Sequence, residues 1–213
     1  MDTLNYILKR FSIRLQPDSG HRQNYQSMPL EISLSRQGLA ELFNQIFGET
    51  EYFSGAEIGV EQGEYSEVLA KACPTAHLYL VDAWKAYKGY RDHVSQSKLD
   101  GFLEGVKTRM ARFGDRINIW HEFSLDAAKH CENESLDFVY VDSNHELPYV
   151  IADLAAWVPK VRKGGIVSGH DYFTSNGPYH VPYALEGYTK AYNISPWFVC
   201  RGDHTASWFW VKS

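Results

Sequence analysis

Cysteine is scarce in this 213-residue chain, with three residues, Cys73, Cys131 and Cys200. They are odd in number, far apart and never spaced as C-x-x-C, which argues against a disulfide framework and a thiolate zinc site. Each is expected to be a small buried hydrophobe in a reducing cytoplasm. Positive charge is also in short supply: 21 Lys and Arg stand against 26 Asp and Glu, for a net charge of -5 and a pI near 6.0. That balance speaks against nucleic acid or an anionic membrane as partner. No apolar run approaches the roughly 18 residues of a membrane span. The opening MDTLNYILKRFSIRL lacks the basic start and long apolar core of a signal peptide. No charge block, repeat or low-complexity tract breaks the chain, so wholesale disorder is not expected. The G-x-G-x-x-G spacing of an NAD site is missing too, which counts against a nicotinamide oxidoreductase.

What is present is enough apolar material, 44% hydrophobic and 15% aromatic, for one sizeable core. Residues 1–30 read as a short N-terminal helix followed by a loop or mobile link, QPDSGHRQNYQSMP, which holds Pro17, Gly20 and Pro29. Residues 31–213 read as a single domain. There, SLSRQGLAELFNQIF sets Leu39, Leu42, Phe43 and Ile46 at helical spacing. Beyond it, short apolar runs (FSGAEIGV, HLYLVDAW, RINIWHEF, LDFVYVD, GGIVSGHD) alternate with helical patterns (EYSEVLAKAC, LDGFLEGVKTRMARF, SLDAAKHC, ELPYVIADLAAWVPKV). Ser124 is the expected cap of the third helix in that series. Near-continuous apolar strands joined by helices imply right-handed crossovers and a sheet covered on both faces. The end changes character: SPWFVCR and ASWFWVK flank GDHT, a hairpin signal with Gly202 and Asp203 in the turn. The expected fold is α/β, a doubly wound, mostly parallel Rossmann-like sheet with a C-terminal antiparallel hairpin.

The first chemical signal is AEIGVEQGEYS, an E-x-G-x-x-x-G pattern of Glu57, Gly59 and Gly63. Gly59 lets the chain turn as it leaves the strand, and Gly63 lets a ligand approach where a helix begins. Glu61 and Glu64 crowd the turn and disfavour a phosphate there. An uncharged or cationic ligand segment suits it better. Asp82 then ends the next strand, at the carboxyl edge where doubly wound sheets bind ligands. It reads either as a loop cap or as an acid that hydrogen-bonds a ribose.

Together EIGVEQGEYSEVLA, LVDAW and LDFVYVDSNHELPYVIADLAAWVPKVRKGGIVSGHDY resemble a class I S-adenosylmethionine-dependent methyltransferase, closest to the small bacterial family of macrocin O-methyltransferase-like enzymes. The similarity spans about residues 35 to 213. One departure is Glu61, which stands where many such enzymes carry a middle glycine. The resemblance implies S-adenosyl-L-methionine over Gly59 and Gly63, its ribose on Asp82, and Glu57 near the methionine end. It also implies that Ala83 and Asp142 contact the donor, that Ser124 falls in the segment bordering the adenine, and that Trp84 either flanks that ring or packs in the core.

A second constellation lies at the next two strand tips. Asp142, Asn144 and His145 follow LDFVYVD, and His170 and Asp171 end GGIVSGHD. Carboxylates with imidazole are reasonable ligands for a divalent metal, and the resembling family has metal-dependent members with aspartates at such tips. Asp142, His170 and Asp171 are the expected ligands. Mg2+ prefers oxygen ligands, whereas the imidazole of His170 tolerates Mn2+, Fe2+ or Zn2+, so Mg2+, Mn2+ or a similar cation is expected. Asp142, His145 and His170 are the expected catalytic groups, with His145 as the base. The alternative is that the histidines brace loops and Asp142 caps a helix near Glu146. The acceptor implied is a small hydroxylated molecule such as a sugar or glycosylated natural product. A same-fold protein that binds the nucleoside without turnover is the rival. Residues 1–30 offer a contact for a homo-oligomer or a cover for the donor pocket.

Overall fold

The computed structural model describes residues 2–15, 28–87, 94–173 and 179–213. In chain order its elements are α1 (Thr3–Arg10), β1 (Leu30–Ile32), α2 (Arg36–Phe47), β2 (Phe53–Ile58), α3 (Glu64–Ala72), β3 (Ala76–Asp82), α4 (Gln96–Met110) and β4 (Ile117–His121). There follow α5 (Ser124–His130), β5 (Leu136–Val141), α6 (Leu147–Trp157), β6 (Val161–Gly169), α7 (Val181–Ala191), β7 (Trp197–Cys200) and β8 (Ser207–Val211). The strands form one sheet in the order β1-β7-β8-β6-β5-β2-β3-β4. All neighbours are parallel except β8, which runs antiparallel to both β6 and β7. The doubly wound sheet and its terminal hairpin are therefore as the sequence implies.

Each face of the sheet carries its own core. On one side Ile7, Leu39, Phe43, Leu69, Leu103 and Phe138 bring α1 to α4 against the sheet. On the other, Ala127, Leu154, Trp157, Leu185 and Trp208 do the same for α5 to α7. Strand alternation decides which residues look which way. In β2, Phe53 belongs to the first core and Ala56 and Ile58 to the second, so Glu57 points to the α2–α3 side. The order reverses between β2 and β5, which leaves a crevice at their carboxyl ends.

Some details depart from expectation. Ser124 is the first residue of α5, and its cap is Phe123, which makes no side-chain cap bond. Helix α7 opens at Val181 with Pro182 in its first turn. Strand β1 extends the sheet at its edge by pairing with β7. Helix α1 packs on the body through the fully buried Ile7 and a 2.7 Å bond from the Thr3 hydroxyl to the Gly164 carbonyl. Residues 16–27 of the expected link lie outside the described residues. All three cysteines are free and buried, and burial pushes the Cys73 and Cys200 thiols up to about 12. Among the described residues no helix is long and apolar enough to cross a membrane.

Candidate active site

The turn after β2 is built by backbone geometry. Gly59 has a φ of 91°, and a Cβ there would run into the backbone carbonyl of Asp142. Only glycine lets the β2 and β5 tips come this close. Gly63 caps α3 with a φ of 72°, and Val106 of α4 lies over it, 3.1 Å from where a Cβ would stand. Glu61, the departure from the usual glycine, keeps a positive φ of 51°. The backbone path of a glycine is thus retained by a residue that holds it less comfortably.

Asp82 pins this turn. Its Oδ2 accepts the N–H groups of Val60 and Glu61, each at 2.9 Å, and its Oδ1 accepts that of Trp84 at 2.8 Å. The acid is therefore the brace of the glycine loop, and a carboxylate with room for about four bonds keeps capacity for a ligand hydroxyl. Ala83 is half-buried beside it. Trp84 is 1% exposed, packs in the core and donates its indole N–H to the Glu61 carbonyl at 2.8 Å. Of its two expected places, the core is where it lies.

Ser124 is committed internally. Its hydroxyl donates to Asp153, which also accepts from Ser143, and it accepts the Trp157 indole N–H at 2.9 Å. This buried knot ties the loop after β4 to the loop after β5. Burial pushes the Asp153 carboxyl up against the pull of the two hydroxyls.

Glu57 is 2% exposed and accepts a bond from the Ser66 hydroxyl. Burial pushes its carboxyl up to about 8, against Ser66 and the Arg36 charge. It is thus largely protonated at neutral pH.

The acid–imidazole cluster forms at the tips of β5 and β6. The Nε2 of His145 lies 2.9 Å from Asp171 and 3.4 Å from Asp142. The Nδ1 of His170 lies 3.2 Å from Asp171 and 3.9 Å from Asp142. Ligand atoms of Asp142, His170 and Asp171 all fall within 4.8 Å of one another. Asp171 sits at a φ of 57°, a strained conformation for a non-glycine residue. Burial opposes charge on His145, yet the bonds and charges of Asp142 and Asp171 outweigh it and lift its pKa to about 10. This is above the neutral poise expected of a base. Burial also opposes charge on Asp171, but His145 and His170 hold its carboxyl well below the usual range. Asp142 does not cap α6; Glu146 stands at that cap, its N–H held by the Asn144 side chain at 3.0 Å. Tyr179 stacks on His145 with ring centres 5.4 Å apart, and Phe173 packs against Tyr179 at 4.7 Å. Tyr87, hydrogen-bonded by Asn144 at 2.9 Å, and the exposed Phe123 and Tyr149 continue this aromatic border.

Arg36 escapes the sequence reading. It opens α2 one residue after its Ser35 cap, where an arginine ordinarily points to water. Here its guanidinium pairs with Asp142 and lies over the Tyr65 and Tyr140 rings, 4.1 and 5.2 Å from their centres. Asp203 of the β7–β8 connection accepts its backbone N–H, and the Tyr65 hydroxyl donates to its carbonyl at 3.1 Å. No sequence spacing signals this contact.

A methyltransferase-domain family profile matches residues 56–172, and the chain belongs to that family. The class is that of the class I S-adenosylmethionine-dependent methyltransferases. Among solved structures, the O-methyltransferase NovP is 14% identical, with 84% of this chain and 79% of that chain covered and a TM-score of 0.63. An O-methyltransferase from Bacillus cereus in complex with SAH is 16% identical, with 99% and 90% covered and a TM-score of 0.61. A precorrin-6y C5,15-methyltransferase from Geobacter metallireducens is 9% identical, with 83% and 87% covered and a TM-score of 0.58. These likenesses concern the fold. No curated protein sequence matches the chain.

Proposed function

We propose that this methyltransferase moves the methyl group of S-adenosylmethionine to a hydroxyl oxygen of a small hydroxylated molecule, such as a sugar or a glycosylated natural product. The observation that carries the reading is the gathering of Asp142, His145, His170 and Asp171 at two strand tips beside the Gly59 turn. A sulfonium methyl is already activated, so the protein's task is to align an oxygen with it and to manage one proton. Alignment alone can contribute about 7–11 kcal/mol. The donor would lie over the Gly59–Gly63 turn with its ribose on Asp82. His145, wedged between two carboxylates, is placed to hold the acceptor's proton. Since its pKa is raised to about 10, the neutral form that accepts a proton grows as pH rises. Phe173, Tyr179 and Tyr87 offer an aromatic wall against which an acceptor ring could stack.

Asp142, His170 and Asp171 also suit a divalent cation, and two carboxylates with one imidazole favour Mn2+, Fe2+ or Zn2+ over Mg2+. When bound there, the cation supplies Lewis acidity that lowers the acceptor hydroxyl's pKa and orients its oxygen. It would compete with Arg36 and His145, which now neutralise the two acids. Release of S-adenosylhomocysteine, followed with a panel of hydroxylated acceptors before and after chelation, tests both levels. Acceptor-dependent release supports methyl transfer, and loss on chelation with rescue by one metal supports the cation. Full turnover in chelator removes the metal. Donor binding without release for any acceptor favours a binding protein.

A further inference from the structure

Arg36 and Asp142 form an ion pair at the β5 tip, where the β2 turn meets it. Each is partly exposed, with side chains 30% and 15% accessible. Arginine presents one side-on edge made of Nε and Nη2, which matches a carboxylate with two parallel bonds. Here that edge is half used. The Nη2 bonds Asp142, while Nε is buried and has no hydrogen-bond partner among the described residues. Leaving a buried charged N–H without an acceptor is costly, even with the Tyr65 and Tyr140 rings against the guanidinium plane.

The rest of the residue is fixed in advance. The rings of Tyr65 and Tyr140 hold the guanidinium plane, Asp203 and Tyr65 hold its backbone, and Ser35 caps its helix by accepting the Gly38 N–H at 3.0 Å. An internal acid–base pair beside a ligand turn is complementary to a zwitterion. A ligand with neighbouring carboxylate and ammonium groups replaces one ion pair by two. The amino-acid end of the methyl donor is such a zwitterion.

Resting on the methyltransferase reading, we infer that Arg36 binds the donor's α-carboxylate through its Nε–Nη2 edge, exchanging its hold on Asp142 for that carboxylate. Asp142 is released toward the donor's ammonium and the acid–imidazole cluster. Donor binding thereby frees a group of the catalytic rim, and ligands lacking the carboxylate leave the Arg36–Asp142 pair closed.

The test compares two ligands by calorimetry on the intact protein. One is S-adenosylhomocysteine. The other is its decarboxylated analogue, which keeps the ammonium, ribose and adenine. Wild type is expected to bind the analogue at least tenfold more weakly. Arg36→Met should lose affinity for S-adenosylhomocysteine by a similar factor and treat the two ligands alike. Arg36→Lys, which keeps the charge over the two tyrosines without the fork, should discriminate by an intermediate factor. Equal affinity of wild type for both ligands overturns the inference, even if the methionine variant fails to fold. Undiminished discrimination by either variant overturns it as well, because another group would then hold the carboxylate. If wild type binds neither ligand, the methyltransferase reading falls and takes this inference with it.

Discussion

Replacing Glu57 by Gln should change how stability depends on pH, and the size of the change follows from the site. Glu57 is 2% exposed, and burial raises its carboxyl from 4.5 to about 8. The folded-state value lies above the unfolded one. Its contribution to stability is therefore full below about pH 4.5 and is lost as pH rises through about 8. Between those limits the unfolded chain releases a proton that the folded chain keeps, at a cost of about 1.4 kcal/mol per pH unit. Summed over the window, this one group should remove on the order of 4 kcal/mol from the wild type by pH 8. Glutamine has no such proton. It can still accept from Ser66, although its amide N–H groups need partners in a space shaped for a carboxyl, which adds a pH-independent cost of about 1–3 kcal/mol. Urea denaturation of both proteins, in chelator, at pH 5, 6, 7 and 8 gives the difference directly. His145 and Asp171 titrate alike in both and cancel. The variant should gain on the wild type by about 1 kcal/mol per pH unit. Parallel stability curves would mean that Glu57 is already ionised in the folded protein, and the raised carboxyl would be refuted.

Asp82→Ala removes the acceptor for the Val60, Glu61 and Trp84 N–H groups, so it should lower stability by about 2–3 kcal/mol and weaken S-adenosylhomocysteine binding more than tenfold. Denaturation and calorimetry check the pair, and unchanged affinity would remove Asp82 from the donor site. Gly59→Ala forces alanine into a φ of 91° and against the Asp142 carbonyl, and should destabilise by about 2 kcal/mol or more. Gly101→Ala, with none of the described residues within 4 Å of its Cβ inside α4, should instead stabilise by about 1 kcal/mol in the same melting assay. Asp142→Asn keeps a carbonyl acceptor but loses the charge that faces His145 and Arg36. Turnover should fall by about 100-fold or more while donor affinity falls far less, and equal loss of both would place Asp142 in donor binding or folding rather than in the methyl-transfer step.

The sheet was legible because its strands are apolar on both faces and its helices carry long one-sided stripes. Asp82, Asp142, His145, His170 and Asp171 were legible for a related reason: each stands at or just past the polar end of an apolar run, and a parallel sheet gathers such ends on one rim. Arg36 was not. A single arginine after a serine cap looks like the start of any solvated helix, and only the arrival of Tyr65 and Tyr140 from distant elements turns it inward. Ser124 misled because serine before a helical run reads as a cap, whereas the loops after β4 and β5 needed its hydroxyl to hold Asp153. Strand β1 is three residues long, too short for any alternation to show. Glu61 departs from glycine in the sequence yet keeps glycine's backbone, since the Asp82 carboxylate holds its N–H where the turn requires it.

A crystal structure with S-adenosylhomocysteine tests most directly whether the donor turn and the acid–imidazole cluster serve one reaction. The ribose is expected on Asp82, the carboxylate on Arg36, and the sulfur facing Asp142 and His145. A ligand bound elsewhere, or one whose sulfur turns away from the β5 and β6 tips, would contradict the account.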